Sequence, residues 1–291
     1  AFCPFLFLIF ASTALLAQDQ TEWFQWGPSN SYHVKAQRLA SDSSTLHGSY
    51  LAFFQELTIA KGEFKQGKKV DHWTYYNLQG TLKAEGNYQN GLKHGVWLHY
   101  FDNQQLKAQT YWNAGVRAGE WKSYYRSGVP YSEIVYSNNF PEKFIAFYNN
   151  GDSALIRSFQ QQENVVLGHH RSYHFQAQIY EDYRFTFENS DSTFNQLTSS
   201  LLPENQRAFF DESIKQQILP ASSFKLDGHY RKYHPTGPLW IHHVYDEGQL
   251  LNVIPSFDKW GNIASHGNFK NGNGTLILHH SIGDTAVIQS Y

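Results

Sequence analysis

A spacing of 24 residues repeats along the chain from Trp73 to Tyr136 and constrains its fold more than any other feature. Counted from each Trp, aromatic residues follow at positions +3, mostly +4, and +15, Gly at +7 and +18, and Leu at +9. The three best copies begin at Trp73, Trp97 and Trp121. A fixed period carried by the same residue types is the signature of a repeat architecture. The sequence therefore predicts structural units that stabilise one another by stacking.

Related units extend the pattern on both sides of these three copies. One begins at Gly48 with Tyr50 in the Trp place, a fourth full unit follows at Phe144, and the pattern returns at Gly228 with Tyr230 in the Trp place. The positions that define the repeat are Trp73, Tyr76, Gly80, Tyr88, Gly91, Trp97, Tyr100, Trp112, Gly115, Trp121, Tyr124, Gly128, Tyr136, Phe144, Gly151, Tyr230, Gly237, Tyr245, Gly248, Gly261, Phe269 and Gly272.

Each unit has the pattern of a β-hairpin. The two glycines punctuate two strand-like runs, and Asn90-Gly91 is a strong hairpin signal because a type I′ turn needs positive φ at both central residues. Asn271-Gly272 repeats that signal. The predicted strands are 72–76, 81–88, 96–101, 106–112, 120–125 and 131–136. The predicted fold class is mostly all-β, a single-layer twisted sheet of antiparallel hairpins, with one helix in a divergent middle segment.

The first 17 residues predict export. An apolar run from Phe5 to Phe10 leads into small residues that end at Ala17, followed by polar residues, which is typical of a secretory signal peptide and too short for a comfortable membrane span. We therefore expect a periplasmic, outer-surface or secreted protein without a transmembrane span. Cys3, the single cysteine, lies ahead of the run, so the mature chain would carry no disulfide and no thiolate nucleophile.

The remaining chain divides into four predicted segments. Residues 18–45 are a polar, irregular lead-in, residues 46–159 and 227–291 are repeats, and residues 160–226 diverge from the pattern. Worn hairpins are predicted to continue to about Asn189. A helix is predicted near 203–219, because Pro203 suits a first helical turn and apolar residues follow at four-residue spacing. We interpret this helix as a packing element.

The composition favours strands and excludes one class of partner. Aromatic residues make up 17% of the chain, although its mean hydropathy is -0.53, so the apolar surface lies mainly on side chains that favour strands. The formal net charge is -2 and the chain has no block of Lys or Arg, so the electrostatic signature of a nucleic-acid-binding protein is missing.

The 15 histidines were considered as metal ligands. His234, Asp258 and His280 share the +4 position of three successive units, but two strands per unit would place them roughly 10 Å apart, which is wide for one tetrahedral site. Neighbouring residues on a strand point to opposite faces, so adjacent histidines cannot readily chelate a metal together. The adjacent pairs are His169-His170, His242-His243 and His279-His280. The sequence therefore predicts neither a metal site nor a cofactor.

Catalytic motifs are also missing. The chain contains no G-x-S-x-G, H-E-x-x-H or P-loop pattern. The neighbouring acids Glu181-Asp182 and Asp211-Glu212 cannot flank a sugar as a glycosidase pair must. The Trp and Tyr rows could stack on sugar rings, but a thin sheet needs the same residues as its core. We therefore predict a protein that is not an enzyme and has no catalytic residues.

The unit Gly-x-Trp-x-x-Tyr-aromatic-x-x-Gly-x-Leu, followed by aromatic-x-Asn-Gly, resembles the MORN-variant repeat. The array resembles proteins of the YwqK-type antitoxin family, most closely over His94 to Gly115 and Ala118 to Tyr136. The resemblance covers residues 46–159 and 228–291. It implies a non-enzymatic β-hairpin array that binds a partner, which in named cases is a toxin protein.

Three function classes follow from the sequence. A protein-binding or structural repeat protein, comparable to antitoxins that neutralise a toxin by direct binding, is favoured. The alternative is a binder of cell-envelope lipid or glycan, and an enzyme with its site in the middle segment is the third class.

Overall fold

A computed structural model describes residues 21–27, 31–163, 165–174, 178–188, 224–279 and 285–290. Over these ranges the chain forms 22 antiparallel β-strands and no helix, which confirms the predicted β-fold. The helix predicted near 203–219 lies outside the described residues. Internal contacts divide the chain into two compact units, residues 1–92 and residues 93–291.

The first unit is an antiparallel meander in which each strand pairs with the next one along the chain. Its strands are β1 (Thr21–Trp26), β2 (Tyr32–Leu39), β3 (Asp42–Phe54), β4 (Leu57–Lys65), β5 (Lys68–Tyr76) and β6 (Leu82–Gln89). Trp73 on β5 is 1% exposed and anchors the apolar side of this meander.

The second unit continues the same order of pairing. Its strands are β7 (Leu92–Tyr100), β8 (Leu106–Asn113), β9 (Val116–Arg117), β10 (Gly119–Tyr124), β11 (Pro130–Ser137), β12 (Phe140–Phe147), β13 (Ser153–Gln162), β14 (Val165–Tyr173), β15 (Ile179–Glu188), β16 (Lys225–Tyr233), β17 (Leu239–Asp246) and β18 (Gln249–Val253). Strand β8 pairs with β7, β9 and β10, and from β10 to β18 each strand pairs with the next. Two separate small hairpins follow, β19 (Ser256–Phe257) with β20 (Ile263–Ala264), and β21 (Thr275–His279) with β22 (Thr285–Ser290).

Glycine and asparagine form the two-residue turns where the repeat predicts them. Asn90 and Gly91 have φ values of 53° and 85°, and Asn271 and Gly272 have values of 51° and 77°. Positive φ at both central residues is the signature of the type I′ turn, so both predicted turns are present, although the second closes only an isolated bridge between Lys270 and Asn273.

The glycines at +7 form a second kind of turn. In the first unit, the Gly80 N–H donates to the Asn77 carbonyl at 3.0 Å, and the Asn77 N–H donates to the Thr81 carbonyl at 3.0 Å. Gly80 has a φ of 77°. This pattern is a three-residue hairpin loop that ends in a left-handed residue. The two glycines of the repeat therefore fix the register of successive strands.

Two rows of directly opposed residues cross the second unit on opposite faces. The inner row consists of Trp121, Ile134, Phe144, Arg157, His170, Tyr183, Tyr230, His243 and Val253. The outer row consists of Leu98, Gln109, Lys122, Glu133, Ile145, Ile156, Arg171, Asp182, Arg231 and His242. The apolar core lies on the inner face and contains Trp121, Ile134, Tyr136, Phe144, Ala146, Phe159, Val166, Phe185 and Phe187.

Two stretches have a secondary structure different from the predicted one. Residues 21–27 and 31–45 of the expected irregular lead-in form β1, β2 and the start of β3. The two buried residues of β2, His33 and Ala36, are three positions apart and therefore lie on opposite faces, and they are too small or polar to give a clear hydrophobic alternation. In the predicted C-terminal repeats, by contrast, the strands near residues 254–264 are shorter than expected: β19 and β20 have two residues each. Pro255 just before β19 has no N–H to donate, so it cannot extend the pairing of that strand.

Candidate functional site

Aromatic residues at the recurring positions of the repeat form the core of the first unit. The Trp73 indole N–H is shared between the Glu63 and Val70 carbonyls at 3.2 and 3.1 Å. The ammonium group of Lys69 lies 4.1 Å from the centre of the Trp73 ring and donates to the Tyr75 hydroxyl at 2.9 Å. Burial lowers the pKa of Lys69. The ring face that could have stacked on a sugar is therefore covered by a cation of the same chain.

Equivalent cations lie in the second unit. The Lys93 ammonium is 4.5 Å from the centre of the Trp97 ring, and the Arg117 guanidinium is 5.6 Å from the centre of the Tyr136 ring. Trp97 and Trp121 are only 2% and 5% exposed. These cations were not predicted, although the sequence has a basic residue four positions before each of the three Trp residues. The tryptophans of the repeat are therefore core residues, as the analysis expected.

The outer row is a continuous, partly solvent-exposed surface of the second unit. Each of its ten side chains is partly exposed, in contrast to the mostly buried inner row. At roughly 4.8 Å between neighbouring strands, ten strands extend the row over about 43 Å along the sheet. Its register is set by hydrogen-bonded strand pairs, so the side chains are held in a fixed order.

The outer row combines charged groups with an apolar pair. Asp182 accepts hydrogen bonds from Arg171 at 2.9 and 3.2 Å and lies 2.6 Å from His169 Nε2. Burial opposes ionisation of Asp182, but these hydrogen bonds outweigh it and hold the pKa of the carboxyl below its ordinary value. Ile145 and Ile156 lie directly opposite each other at the centre of the row. The row thus has an apolar centre with ion-paired groups on one side.

Polar groups interrupt the inner face beyond the apolar core. The Arg157 Nε–H donates to His170 Nδ1 at 2.9 Å, and the His170 ring stacks on Tyr183 with a centroid distance of 4.4 Å. Next to them, Glu181 lies 3.2 Å from the Lys232 ammonium. We call these five residues, together with Tyr230 and Ser172, the inner polar cluster. Its seven members are Arg157, His170, Ser172, Glu181, Tyr183, Tyr230 and Lys232. Its members come from four strands, β13 to β16, so the spacing of the repeat does not reveal it.

The two adjacent histidine pairs that the structure describes in full, His169-His170 and His242-His243, have their side chains on opposite faces, as predicted. His169 contacts Asp182 on the outer face, whereas His170 contacts Arg157 on the inner face. In the second such pair, the His242 Nε2 atom lies 2.8 Å from His229 Nδ1.

The three residues considered as metal ligands have other roles or lie outside the described ranges. His234 hydrogen-bonds to the Phe257 carbonyl at 3.0 Å and is 1% exposed. Asp258 accepts hydrogen bonds from the Trp260 and Asn262 amides and so closes its own turn. His280 is not among the described residues. Within the described part of the chain, no group of three or more His, Cys, Asp or Glu side chains is arranged to hold a metal ion.

A polar recess of about 670 Å³ lies along β11 to β13. Its lining combines amide, hydroxyl and carboxylate groups with one partly exposed ring, that of Phe140. The lining residues are Ser137, Asn138, Phe140, Glu142, Ser158, Phe159, Gln160 and Gln161. Separately, none of the described residues forms a helix with the length and apolar character needed to cross a membrane.

Comparison with known families identifies one segment of the chain. The MORN repeat variant family matches residues 117–138, which run from Arg117 on β9 to the turn after β11. The chain carries a MORN-variant repeat. This match supports a MORN-variant repeat protein. No curated protein matches the chain.

Two solved structures are similar at low identity. A porin-like protein from Bacteroides uniformis ATCC 8492 is 11% identical with a TM-score of 0.25, and the alignment covers 93% of this chain and 91% of that one. The TcdB2-TccC3-TEV structure is 10% identical with a TM-score of 0.16, covering 92% of this chain and 15% of that one. Neither likeness bears on function.

Proposed function

We propose that this chain is a non-enzymatic binding scaffold whose outer row docks another protein. The observation that carries the proposal is the outer row itself, in which ten partly exposed side chains stand in register on ten strands. The repeat uses its aromatic residues for the core on the inner face, so this outward surface can vary without loss of the fold. A MORN-variant repeat is compatible with such a scaffold.

The chemistry of the row suits a protein surface. Ile145 and Ile156 provide an apolar centre, and the ion-paired Arg171 and Asp182 lie beside them. Protein interfaces commonly combine an apolar centre with a polar rim, and charge complementarity at the rim selects the partner. By analogy with the antitoxin family that the repeat resembles, we propose a toxin protein as the first partner to test.

Site-specific crosslinking tests the docking surface. A photo-reactive amino acid at Ile156 should give a discrete crosslinked protein in the native host, whereas the same group at Lys83, an exposed strand residue of the first unit, should not. Ile156→Glu should abolish capture of that protein without changing the circular dichroism spectrum. Equal crosslinking from both positions, or none from Ile156, would rule out the outer row as the docking surface.

Toxin neutralisation can be tested separately. Co-expression of this chain with a toxin encoded beside it should restore growth, and Ile156→Glu should remove that protection. Restored growth with the variant would mean that neutralisation does not use the outer row.

We further propose that the protein is exported. The support is the apolar run from Phe5 to Ala17. N-terminal sequencing of the protein from its native host should find processing near Ala17. An unprocessed protein in the cytoplasm would contradict export and favour a cytoplasmic antitoxin.

A glycan is the second candidate ligand, because the recess on β11 to β13 combines amide side chains with the Phe140 ring. Sugars are commonly bound by hydrogen-bonding side chains beside an aromatic face. Cell-wall oligosaccharides should then bind the protein in calorimetry, and Gln160→Ala should weaken that binding. Failure of all such oligosaccharides to bind would leave the protein partner as the proposal.

A further inference from the structure

Arg157 places a buried positive charge in the inner polar cluster. The residue is 5% exposed, and guanidinium groups stay protonated in proteins, although burial lowers the pKa of this one. One of its nitrogens, Nε, donates to His170. Among the described residues, its NH1 nitrogen has no hydrogen-bond partner and no carboxylate lies within 4.0 Å of the guanidinium. A buried charge without a counter-charge is strongly destabilising.

The surrounding groups offset this charge only in part: the Tyr183 hydroxyl and the Glu181 carboxylate both stabilise the guanidinium, but Glu181 is shared with Lys232. His170 accepts the Arg157 hydrogen bond at Nδ1, so its ring is the neutral tautomer with the proton on Nε2. Burial raises the pKa of Tyr183, which therefore stays uncharged at neutral pH. The Glu181 carboxylate is engaged by the Lys232 ammonium at 3.2 Å and by the Tyr230 hydroxyl at 3.2 Å. Glu181 and Lys232 balance each other, which leaves one net positive charge on Arg157.

A second donor lies on the adjacent strand. Ser172 on β14 is 7% exposed, and its hydroxyl has no hydrogen-bond partner among the described residues. Ser172 is directly opposite Leu155, two residues before Arg157, so both polar side chains lie on the inner face. The side chains of Glu181 and Lys232 keep 15% and 19% of their exposure, so solvent reaches the cluster from their side.

We propose that Arg157 and Ser172 bind one small oxyanion, of the size of acetate, sulfate or phosphate, on the inner face of the second unit. The guanidinium supplies the counter-charge and donors in a planar fork, which matches the oxygens of a carboxylate or phosphate. The Ser172 hydroxyl supplies a further donor. The oxyanion is either a free ion or an acidic group of a larger ligand, and both present the same chemistry to this site.

Anion titration of the purified full chain tests the site. Sodium acetate, sulfate and phosphate are added in parallel to sodium chloride at matched ionic strength, and binding is measured by calorimetry and by the thermal midpoint. At least one oxyanion should bind saturably and raise the midpoint above the chloride series. Saturable binding of these free ions identifies a site for the ion itself. If no free oxyanion binds but a carboxylate-bearing peptide does so in an Arg157-dependent way, the source is a larger ligand.

Three variants assign the response to this cluster. Arg157→Gln should weaken binding at least about tenfold, and Ser172→Ala about threefold to tenfold, because each removes a donor to a charged group. Arg171→Gln is the matched control, since Arg171 is on the outer face and paired with Asp182. It should bind the oxyanion like the unchanged chain.

Two results would refute the proposed oxyanion site. Absence of saturable binding by every oxyanion and acidic peptide, or equal binding by the Ser172→Ala and unchanged chains, refutes it. The Ser172→Ala variant keeps the test decisive if Arg157→Gln does not fold. The result is independent of the outer row, because none of these residues belongs to that surface.

Discussion

Replacement of Gly62 by Ala probes how closely the strands approach the buried indole of the first unit. Gly62 lies on β4 opposite Tyr50, and a Cβ atom there would be 2.2 Å from Cδ2 and 2.3 Å from Cε2 of Trp73. The Trp73 ring is 1% exposed and held by hydrogen bonds from its N–H, so it cannot move away freely. Overpacking of this kind reduces the free energy of unfolding by about 1–3 kcal/mol, and we expect the upper half of that range.

A double-mutant cycle gives the measurement its specificity. Trp73→Phe makes the ring smaller and removes the N–H that anchors it, so the ring can shift away from the new methyl group. The double variant Gly62→Ala/Trp73→Phe should therefore be more stable than the sum of the single effects predicts, by about 1 kcal/mol or more. Stabilities come from urea denaturation followed by far-ultraviolet circular dichroism, with the slope compared between variants.

The matched control separates overpacking from backbone strain. Gly67→Ala introduces the same methyl group at a turn with φ of 75° and no atom within 4 Å of the added Cβ. Its destabilisation arises from left-handed strain and should add to that of Trp73→Phe without coupling. A stability of Gly62→Ala equal to that of the unchanged chain, or additivity with Trp73→Phe, would refute the close approach of Gly62 to the indole.

Three further perturbations test turns, titration and packing. Gly91→Val should lower the free energy of unfolding by about 1 kcal/mol or more through strain at φ of 85°, whereas Gly91→Asn should be tolerated better; equal urea midpoints for the two variants would contradict the type I′ turn. Burial and the nearby His242 lower the pKa of His243 to about 4, so the unfolded chain binds the extra proton and stability should fall as pH falls from about 6.5 to about 4. His243→Gln should flatten that part of the stability profile, and an unchanged profile would contradict the shift. Trp112→Ala and Trp121→Ala should be non-additive because their ring centroids are 4.8 Å apart, and strict additivity in urea denaturation would contradict this contact.

The turns were predictable because the information that specifies them is local. Asn90 and Gly91 tolerate positive φ, and few other residue pairs do, so their order in the sequence is enough to place a type I′ turn. Predicted strands such as 106–112 and 131–136 agree closely with β8 and β11 for the same reason, since a turn glycine marks one end of each, Gly115 after β8 and Gly128 before β11.

The inner polar cluster was not predictable, because its contacts depend on register across several strands. Arg157 meets His170 only because β13 and β14 pair with these residues opposite each other, and His170 lies in the segment that diverges from the repeat. The turn between these strands lacks the repeat's glycine signal, so the sequence does not fix which residues face each other. The cation over Trp73 was not predicted for a different reason: a Lys on a strand usually reads as solvent-exposed, whereas the long side chain of Lys69 reaches back over the ring.

Comparison of the repeat units shows that Arg157 occupies a position where the other units have no charged residue. Position +13 is occupied by Gly86, Thr110, Ile134 and Arg157 in four successive units, so a charge appears where the others have small or apolar residues. Local departures of this kind are expected at functional sites, where stability is given up for binding.

Replacing both partners with apolar residues tests that view. Arg157→Ile introduces the residue of the preceding unit, and His170→Leu removes the acceptor that would otherwise be left unpaired. Apolar replacement of buried charged groups is often neutral or stabilises a protein by about 1–4 kcal/mol. In anion-free buffer the double variant should therefore be at least as stable as the unchanged chain in urea denaturation, and its thermal midpoint should no longer respond to oxyanions. A double variant that is several kcal/mol less stable would mean that Arg157 and His170 are retained for the fold and not for a ligand.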